Sequence, residues 1–454
     1  MPVLALLAGA VLSWWWGGYV HHDTLPILTR MTASPSWLRD ANGYPLEVLL
    51  MALVRLLPGD ARLWWNVLGC LHLGALAWLV ARLASQAAPG QKMLPWLAPL
   101  LALANPYTLR FVLGLNSVAQ LSLCLLLWSL NALGESSRGQ RVALAVLALS
   151  RLEGLLFAFA LAIAMAARRW KEGGARQLAG DLLVLVPVAV SYPLLWKVLF
   201  GQWLGLTKSL QQFEAIIGFR PMGFLEMIHW LRGAWLGLSG DAFLLLAFAG
   251  VLLLLADRAR WSLLLPLLAP AALVHGFAIV SGMLGKPIGL RYFWPVIPFA
   301  ALWVSIAVVR IGERIGRTRR EQIAAALILT LAGCAPYLLS LEKLGAIRQE
   351  QQAIRADAAA VARCWRERAP VAPTLLVVPG GIRGDVIYAV SDATSLAEVL
   401  FEKAYFFEPA RYAGMPALWF ASGQYSDRAP GMSGLQDFAC SGFSGPGAFT
   451  GVLN

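Results

Sequence analysis

Charged residues are scarce in this chain. Asp, Glu, Lys and Arg make up 14% of its 454 residues, whereas 59% are hydrophobic. Soluble domains average about 25% charged and about 45–50% apolar residues. The composition therefore excludes an ordinary soluble domain and predicts a polytopic α-helical membrane protein. Ionisable groups are costly among membrane helices, so the few that occur there are the first candidates for function.

Several functional motifs are also lacking. The sequence has no Walker pattern and no Gly-x-Gly-x-x-Gly fingerprint, which argues against an energy-coupled pump and against a sugar-nucleotide site. No internal repeat is evident, and this absence argues mildly against an inverted-repeat secondary transporter. The five cysteines form no Cys-x-x-Cys pattern, so a zinc site is not expected.

Basic residues outnumber acidic ones and give a formal net charge of +12. They cluster in short loops between apolar runs, at 168–176, 257–260 and 310–320. This distribution is typical of cytoplasmic loops under the positive-inside rule, so we interpret the charge as membrane topology and not as nucleic-acid binding.

Apolar runs long enough to cross a bilayer, about 20 residues, recur through the first 340 residues. We take 3–20 as a retained first span, because no Lys or Arg precedes it and Trp14 to Trp16 resemble an interfacial aromatic belt. A longer tract, 142–167, is interrupted by Arg151 and Glu153, and we interpret it as two short helices meeting at a polar break. Together with these two helices, nine further predicted spans give a total of eleven. The nine are 3–20, 62–81, 94–110, 115–133, 179–199, 241–256, 261–281, 291–309 and 321–340.

The topology that follows places the loop after the first span, and the C-terminal region, outside the cytoplasm. A single crossing by 142–167 is the alternative, and it would move the N-terminal loop to the inside. The predicted location is a bacterial inner membrane with the C-terminal region in the periplasm.

The composition changes after residue 340, which predicts a transmembrane catalytic domain over 1–340 and an extracytoplasmic α/β domain over 341–454. The pattern of the second domain predicts a charged helix and then the following elements: strands at 374–378, 385–390 and 417–421, and a helix near 394–406. Cys364 and Cys440 lie in this part, and a disulfide between them is left open.

Two carboxylates, Asp23 and Asp40, lie in the short polar loop that follows the first span. A carboxylate held half out of water has a perturbed pKa and can act as a base or bind a metal. Each also has a plainer interpretation, Asp23 as a helix N-cap before Pro26 and Asp40 as an N-cap or as a surface ion pair with its neighbour Arg39.

Other candidates are ionisable or aromatic groups near predicted helix ends. Arg151 and Glu153 form either a structural pair or a substrate contact. Arg291 is either a clamp for a lipid phosphate or an ordinary interfacial residue. We add His22, Lys286 and Tyr292 as candidate substrate-binding residues, and ligation of one metal by both His21 and His22 is not expected.

In this order, these residues resemble the GT-C superfamily of integral-membrane glycosyltransferases, of the protein O-mannosyltransferase or aminoarabinose transferase type. The resemblance rests on an acid after the first span, on Asn105-Pro106 before Asn116-Ser117, on the Ser150-to-Gly154 break and on Arg291-Tyr292-x-x-Pro295. It covers most of the membrane part. The pair of adjacent acids common in that family is His22-Asp23 here, which leaves metal use in doubt.

The resemblance implies transfer of a sugar from a polyprenyl-phosphate donor to an acceptor hydroxyl of a glycan, lipid or protein on the outer face. Asp23 would be the general base and Asp40 would orient the acceptor or share a divalent metal, Mg²⁺ or Mn²⁺. Arg291, with Lys286 and Arg151, would stabilise the phosphate leaving group. The alternatives are a lipid or glycan transporter or flippase, and a non-catalytic assembly factor or O-antigen polymerase or ligase.

Overall fold

The structure is a computed structural model. It describes residues 1–16, 45–200, 221–257, 261–284, 290–338 and 342–368, and in the C-terminal part 374–379, 382, 385–386, 389–390, 396–401, 413–421 and 432–453. Asp23, Asp40, His22 and Lys286 lie outside these residues.

The membrane part is a bundle of α-helices, as predicted. In chain order the helices are α1 (Pro2–Trp15), α2 (Pro45–Arg55), α3 (Ala61–Ala87), α4 (Leu94–Ala104), α5 (Pro106–Leu113), α6 (Ser117–Leu133), α7 (Ser137–Ser150), α8 (Leu152–Arg168), α9 (Gly174–Phe200), α10 (Phe224–Ser239), α11 (Asp241–Ala256), α12 (Trp261–Met283), α13 (Ile297–Ile315), α14 (Arg319–Leu338) and α15 (Glu342–Arg368). Short 3₁₀ segments cover Trp170–Glu172, Leu290–Tyr292 and Trp294–Val296.

The predicted spans fall on helices of the bundle, except that the predicted span 94–110 is divided at Asn105 into α4 and α5, and that 3–20 is described only as far as residue 16. By length and hydropathy alone, four helices of the described chain can cross a membrane: α3, α9, α12 and α13. Two bent pairs, α5 with α6 and α10 with α11, bring the number to six. The remaining predicted spans are not counted by that criterion over the described residues.

The tract 142–167 forms two helices, α7 and α8, which pack against each other, so the two-helix interpretation is confirmed. Arg151 joins them in an extended conformation, with φ −161° and ψ 161°. Gly154 lets the two helices meet closely, because a Cβ at this position would lie 2.3 Å from the Leu147 carbonyl oxygen. The close packing of α7 and α8 therefore requires glycine at position 154.

The chain runs back and forth between two ends of the bundle. We call one the basic end, since α8 finishes there at Arg168 and α13 passes to α14 through an arginine-rich turn. The other is the α15 end, where α1 finishes, α3 begins and the C-terminal helix docks. There the Trp16 indole donates to the Leu344 carbonyl at 3.3 Å, and Arg62 pairs with Asp385 at 2.9 Å.

A five-stranded mixed sheet follows α15. Its strands are β1 (Thr374–Val378), β2 (Leu396–Phe401), β3 (Pro416–Ala421), β4 (Met432–Phe438) and β5 (Gly447–Leu453), in the order β2-β1-β3-β5-β4. The strands β2, β1 and β3 are parallel, and β5 and β4 continue the sheet antiparallel. The predicted α/β character, the charged helix over α15 and the strands at 374–378 and 417–421 are confirmed.

Two of the sequence predictions in this region are wrong. The predicted strand at 385–390 is helical where it is described, because Ile382, Val386 and Val390 are buried at the four-residue spacing of one helix face. The predicted helix near 394–406 contains β2 instead. Leu, Ala and Glu favour a helix there, but pairing with β1 overrides that weak local preference.

The helix α15 and the sheet share a hydrophobic core that is separate from the core of the bundle. It is built around Val361, Trp365, Leu376 and Phe420, all nearly inaccessible to solvent. Cys364 and Cys440 form a disulfide that ties α15 to the segment between β4 and β5. The domain boundary near residue 340 remains a prediction.

Candidate functional site

The polar break between α7 and α8 is the centre of the candidate site. Arg151 is only 3% exposed, and its guanidinium donates to Glu153 through Nη2 at 2.6 Å and through Nε at 2.8 Å, both to Oε1. Its Nη1 donates to the hydroxyl of Ser117. A buried arginine needs such partners, since an uncompensated charge in a membrane bundle is strongly unfavourable.

Ser117 reaches Arg151 because the chain turns sharply before α6. The helices α5 and α6 meet at 102°, and Leu115 takes a left-handed conformation, with φ 50°, at the bend. Asn116 caps α6 by accepting from the Val118 amide at 3.0 Å. The Asn116-Ser117 pair thus places a hydroxyl at a fixed helix start, opposite the α7–α8 break.

Asn105 fixes the preceding break in the chain, between α4 and α5. Its side-chain oxygen accepts from the Tyr107 amide at 2.9 Å and caps α5, and Pro106 occupies the first helical position, where its missing N–H costs nothing. The Asn105 amide group donates to the Leu238 carbonyl at 2.8 Å, which joins α5 to the end of α10. Asn105-Pro106 therefore has a structural role, since it starts α5 and joins this helix to the end of α10.

Tyr292 connects Arg291 with the Arg151–Glu153 pair. The Tyr292 ring centroid lies 4.9 Å from Cζ of Arg151 and 5.4 Å from Cζ of Arg291, both within the range of cation–π attraction. The segment that carries Tyr292 is held by the Trp294 indole, which donates to the Thr108 hydroxyl at 3.1 Å. Four sequence-predicted residues thus form one cluster: Arg151, Glu153, Arg291 and Tyr292.

The acidic loop of residues 17–44 is not described, but both of its flanks are. The first flank, Trp16, contacts the start of α15 at the α15 end of the bundle. The second flank begins α2, which packs against α7 and α3 and shares a small apolar core with Trp65 and Leu115. The described residues that precede and follow the segment with Asp23, Asp40 and His22 therefore lie on the side of the bundle that carries the Arg151 cluster.

The structure also shows two polar residues that the sequence analysis did not select. Glu47, in the first turn of α2, is 4% exposed, and its position soon after the acidic loop was the signal that could have identified it. Gln120, one turn into α6 from Ser117, is 1% exposed, and neither amide atom has a partner within the described ranges. Gln120 had no distinguishing sequence signal.

A metal site cannot be built from the described residues. No group of three or more His, Cys, Asp or Glu side chains lies close enough there to hold an ion. A requirement for Mg²⁺ or Mn²⁺ stays a prediction.

The folded chain is a polytopic helical membrane bundle with a polar cluster at one end and a small α/β unit docked at that end. Crystal structures of ArnT from Cupriavidus metallidurans resemble it over its whole length. With undecaprenyl phosphate bound, ArnT gives a TM-score of 0.58 at 14% identity, covering 100% of this chain and 98% of that one. The apo form gives 0.57 at 14% identity, with 100% and 97% coverage.

The apo oligosaccharyltransferase of Archaeoglobus fulgidus is also similar, with a TM-score of 0.53 at 12% identity over 88% of this chain and 64% of that one. The sequence matches no protein-family model and no curated protein. The chain accordingly has the GT-C fold, as the sequence resemblance implied.

Proposed function

We propose that the protein is a glycosyltransferase that moves a sugar from a polyprenyl-phosphate-linked donor to an acceptor hydroxyl at the membrane surface. The observation that carries the proposal is the Arg151–Glu153–Arg291–Tyr292 cluster, which lies at the bundle end to which the acidic loop belongs. The likeness to an ArnT structure with undecaprenyl phosphate bound supports a lipid-linked donor.

The proposed reaction is a single displacement at the anomeric carbon. Asp23 accepts the proton of the acceptor hydroxyl as its oxygen attacks, so that a new glycosidic C–O bond forms. The bond between the anomeric carbon and the donor phosphate breaks, and its electron pair leaves with the polyprenyl phosphate. The configuration at the carbon is inverted. Asp40 orients the acceptor beside Asp23.

The leaving phosphate gains negative charge, and the cations of the cluster stabilise it. Arg291 is the main candidate, with Lys286 on the preceding segment as its companion. Arg151 contributes at longer range, because Glu153 and Ser117 already engage its guanidinium. The ring of Tyr292 contacts both arginine side chains, and His22 belongs to the proposed substrate-binding set through its position beside Asp23 in the sequence.

The proposed orientation places the α15 end outside the cytoplasm, with the C-terminal unit in the periplasm of a bacterial inner membrane. Two observations support it. The arginine-rich turns lie at the opposite end, as the positive-inside rule requires of the cytoplasmic side. The Cys364–Cys440 disulfide suits an oxidising compartment. Alkaline phosphatase fused after the last strand should be active, and an inactive fusion would contradict the orientation.

The test is release of free polyprenyl phosphate by the full-length protein in lipid nanodiscs. Wild type is offered a panel of polyprenyl-phosphate sugars together with envelope-lipid acceptors, and is compared with Asp23→Asn. Asp437→Asn, the same change at an exposed residue of β4, is the control. Turnover with one donor in wild type and in the control, with loss of about 10²–10⁴-fold in Asp23→Asn, is expected for removal of a general base.

Separate arms test the other roles. Arg291→Gln should lower kcat more than it raises KM if the cation acts on the leaving group. Turnover that survives in Asp23→Asn would transfer the role of base to Asp40. An effect of EDTA reversed by Mg²⁺ or Mn²⁺ would establish a divalent metal. Failure to consume any donor, together with movement of an intact lipid-linked sugar between the leaflets, would replace the transferase with a flippase.

A further inference from the structure

The basic end of the bundle contains a cavity that the proposed reaction does not use. Its volume is about 430 Å³. One side is formed by the last turn of α11 and by Asp257, which follows that helix. The other side is formed by the α13 residues Ile306, Arg310, Glu313 and Arg314. One wall is thus apolar and the rim is charged.

The cavity arises from the way α11 and α13 cross. Gly250 allows the closest approach, since a Cβ there would lie 2.0 Å from the Trp303 carbonyl oxygen. Seven residues further along each helix, about 10 Å at the α-helical rise, the walls of the cavity carry Asp257 and Arg310. The cavity therefore lies about two helical turns beyond the close contact between α11 and α13 at Gly250.

The charged residues at the rim differ in whether they form hydrogen bonds or ion pairs with the rest of the protein. The Glu313 carboxylate accepts from the Gln91 amide at 2.6 Å and from Arg310 Nη1 at 3.2 Å, so it is held by the protein. Arg314 is exposed and makes no hydrogen bond or ion pair with any residue in the described part of the chain. Five arginines and one glutamate occupy 310–320, which makes the potential around the mouth positive.

Exposed apolar side chains are neighbours in sequence of the residues that line the cavity. Leu252 and Leu255 of α11 and Ile315 of α13 are each about half exposed or more, at 49%, 45% and 66%. In a membrane bundle such residues face acyl chains. A cationic rim over an apolar wall, at the depth of the headgroups, matches the two parts of a phospholipid.

We propose that this cavity binds one anionic phospholipid, a phosphatidylglycerol, from the leaflet at the basic end. Arg314 binds the phosphate, because arginine donates two N–H groups in a geometry that suits phosphate oxygens. The Asp257 carboxylate lies on the opposite wall, and its oxygens can accept from the glycerol hydroxyls of the headgroup. This site is independent of the sugar-transfer reaction at the other end of the bundle.

The test is native mass spectrometry of the full-length protein in mild detergent, titrated with palmitoyl-oleoyl phosphatidylglycerol. Wild type should retain one lipid with higher affinity than the rest. Arg314→Gln should weaken that first adduct about tenfold, the effect of losing a charge-assisted hydrogen bond, and Arg314→Lys should recover part of it. Arg320→Gln removes an exposed arginine that does not line the cavity and should leave the first adduct unchanged.

Two further arms identify the ligand. Phosphatidylcholine should give no first adduct of comparable affinity, and glycerol 3-phosphate in millimolar excess should not displace phosphatidylglycerol. Equal weakening by Arg320→Gln, equal retention of phosphatidylcholine, or displacement by glycerol 3-phosphate would each overturn the proposal. Because Arg314 is on the surface, the Gln variant is expected to fold, and unchanged sugar transfer in it would separate the two sites.

Discussion

Replacement of Arg151 by leucine is expected to destabilise the bundle by about 3–5 kcal/mol, the usual cost of breaking a buried ion pair by removing one partner. The structure explains why the value lies in this range. Arg151 is 3% exposed and the Glu153 side chain 12% exposed, so leucine would leave a carboxylate with little access to water. The change would also remove the hydrogen bond to Ser117 that joins α8 to α6.

The free energy can be measured by unfolding the protein in mixed micelles with increasing dodecyl sulfate, followed by tryptophan fluorescence. A double-mutant cycle with Glu153→Leu isolates the pair. Each single change should be costly, whereas the double change should cost less than their sum, with a coupling of about 2–3 kcal/mol for directly hydrogen-bonded charges. Arg151→Lys should fall between wild type and leucine, since an ammonium cannot match the geometry of the guanidinium.

The cycle also decides between the two roles considered for Arg151. Additive single effects would refute the reasoning, because they would mean that Arg151 and Glu153 do not stabilise each other. A stable Arg151→Leu variant that no longer binds the donor would show that Arg151 is mainly a substrate ligand. A destabilised variant that keeps the wild-type KM would confirm a structural pair.

Three further predictions concern packing and docking. Gly250→Ala should destabilise the bundle by about 1–3 kcal/mol, the range for overpacking. Gly276→Ala should be neutral or slightly stabilising, because nothing lies within 4 Å of the added Cβ. Thermal unfolding in detergent compares the two variants. Cys364→Ser should lower the stability of the C-terminal unit by about 4.5 kcal/mol in the loop-entropy treatment of a 76-residue closure, which would be measured as faster proteolysis. Asp385→Asn should weaken the docking of that unit by about 1 kcal/mol, since the pair with Arg62 is partly exposed, and a cycle with Arg62→Gln measures it.

The fold could be predicted from sequence wherever burial in lipid decides the composition. Long apolar runs identified most helices of the bundle, though not α2 or α10, and the charges at 151 and 153 identified the break between α7 and α8. A charge is tolerated there only at a helix end or beside a partner. In the small α/β unit this argument fails. The strand β2 contains good helix formers, and only its pairing with β1 makes it a strand.

The candidate site was predictable in part and for a similar reason. Arg151, Glu153 and Arg291 are conspicuous as ions beside membrane helices, so sequence alone selects them. That they meet around the ring of Tyr292 depends on the crossing of helices far apart in sequence, which no local pattern encodes. Glu47 was not predicted as a site residue, because acids are common in the first turn of a helix. Gln120 was not predicted either, because an uncharged polar residue gives no distinctive signal in the sequence.

In the proposed orientation, four arginines of the bundle near the α15 end are informative, because the positive-inside rule disfavours cations there. Cations favour the opposite side of the membrane, so those retained here need a compensating partner or a role. Each has a carboxylate or an aromatic ring beside it: Arg62 with Asp385, Arg110 with Glu350, Arg151 with Glu153, and Arg291 with Tyr292. The first two pairs join the bundle to the C-terminal unit, and the third joins two helices. Arg291 packs on the ring of Tyr292 within the same cluster as Arg151 and Glu153, and this position is the reason for proposing that it binds the donor phosphate.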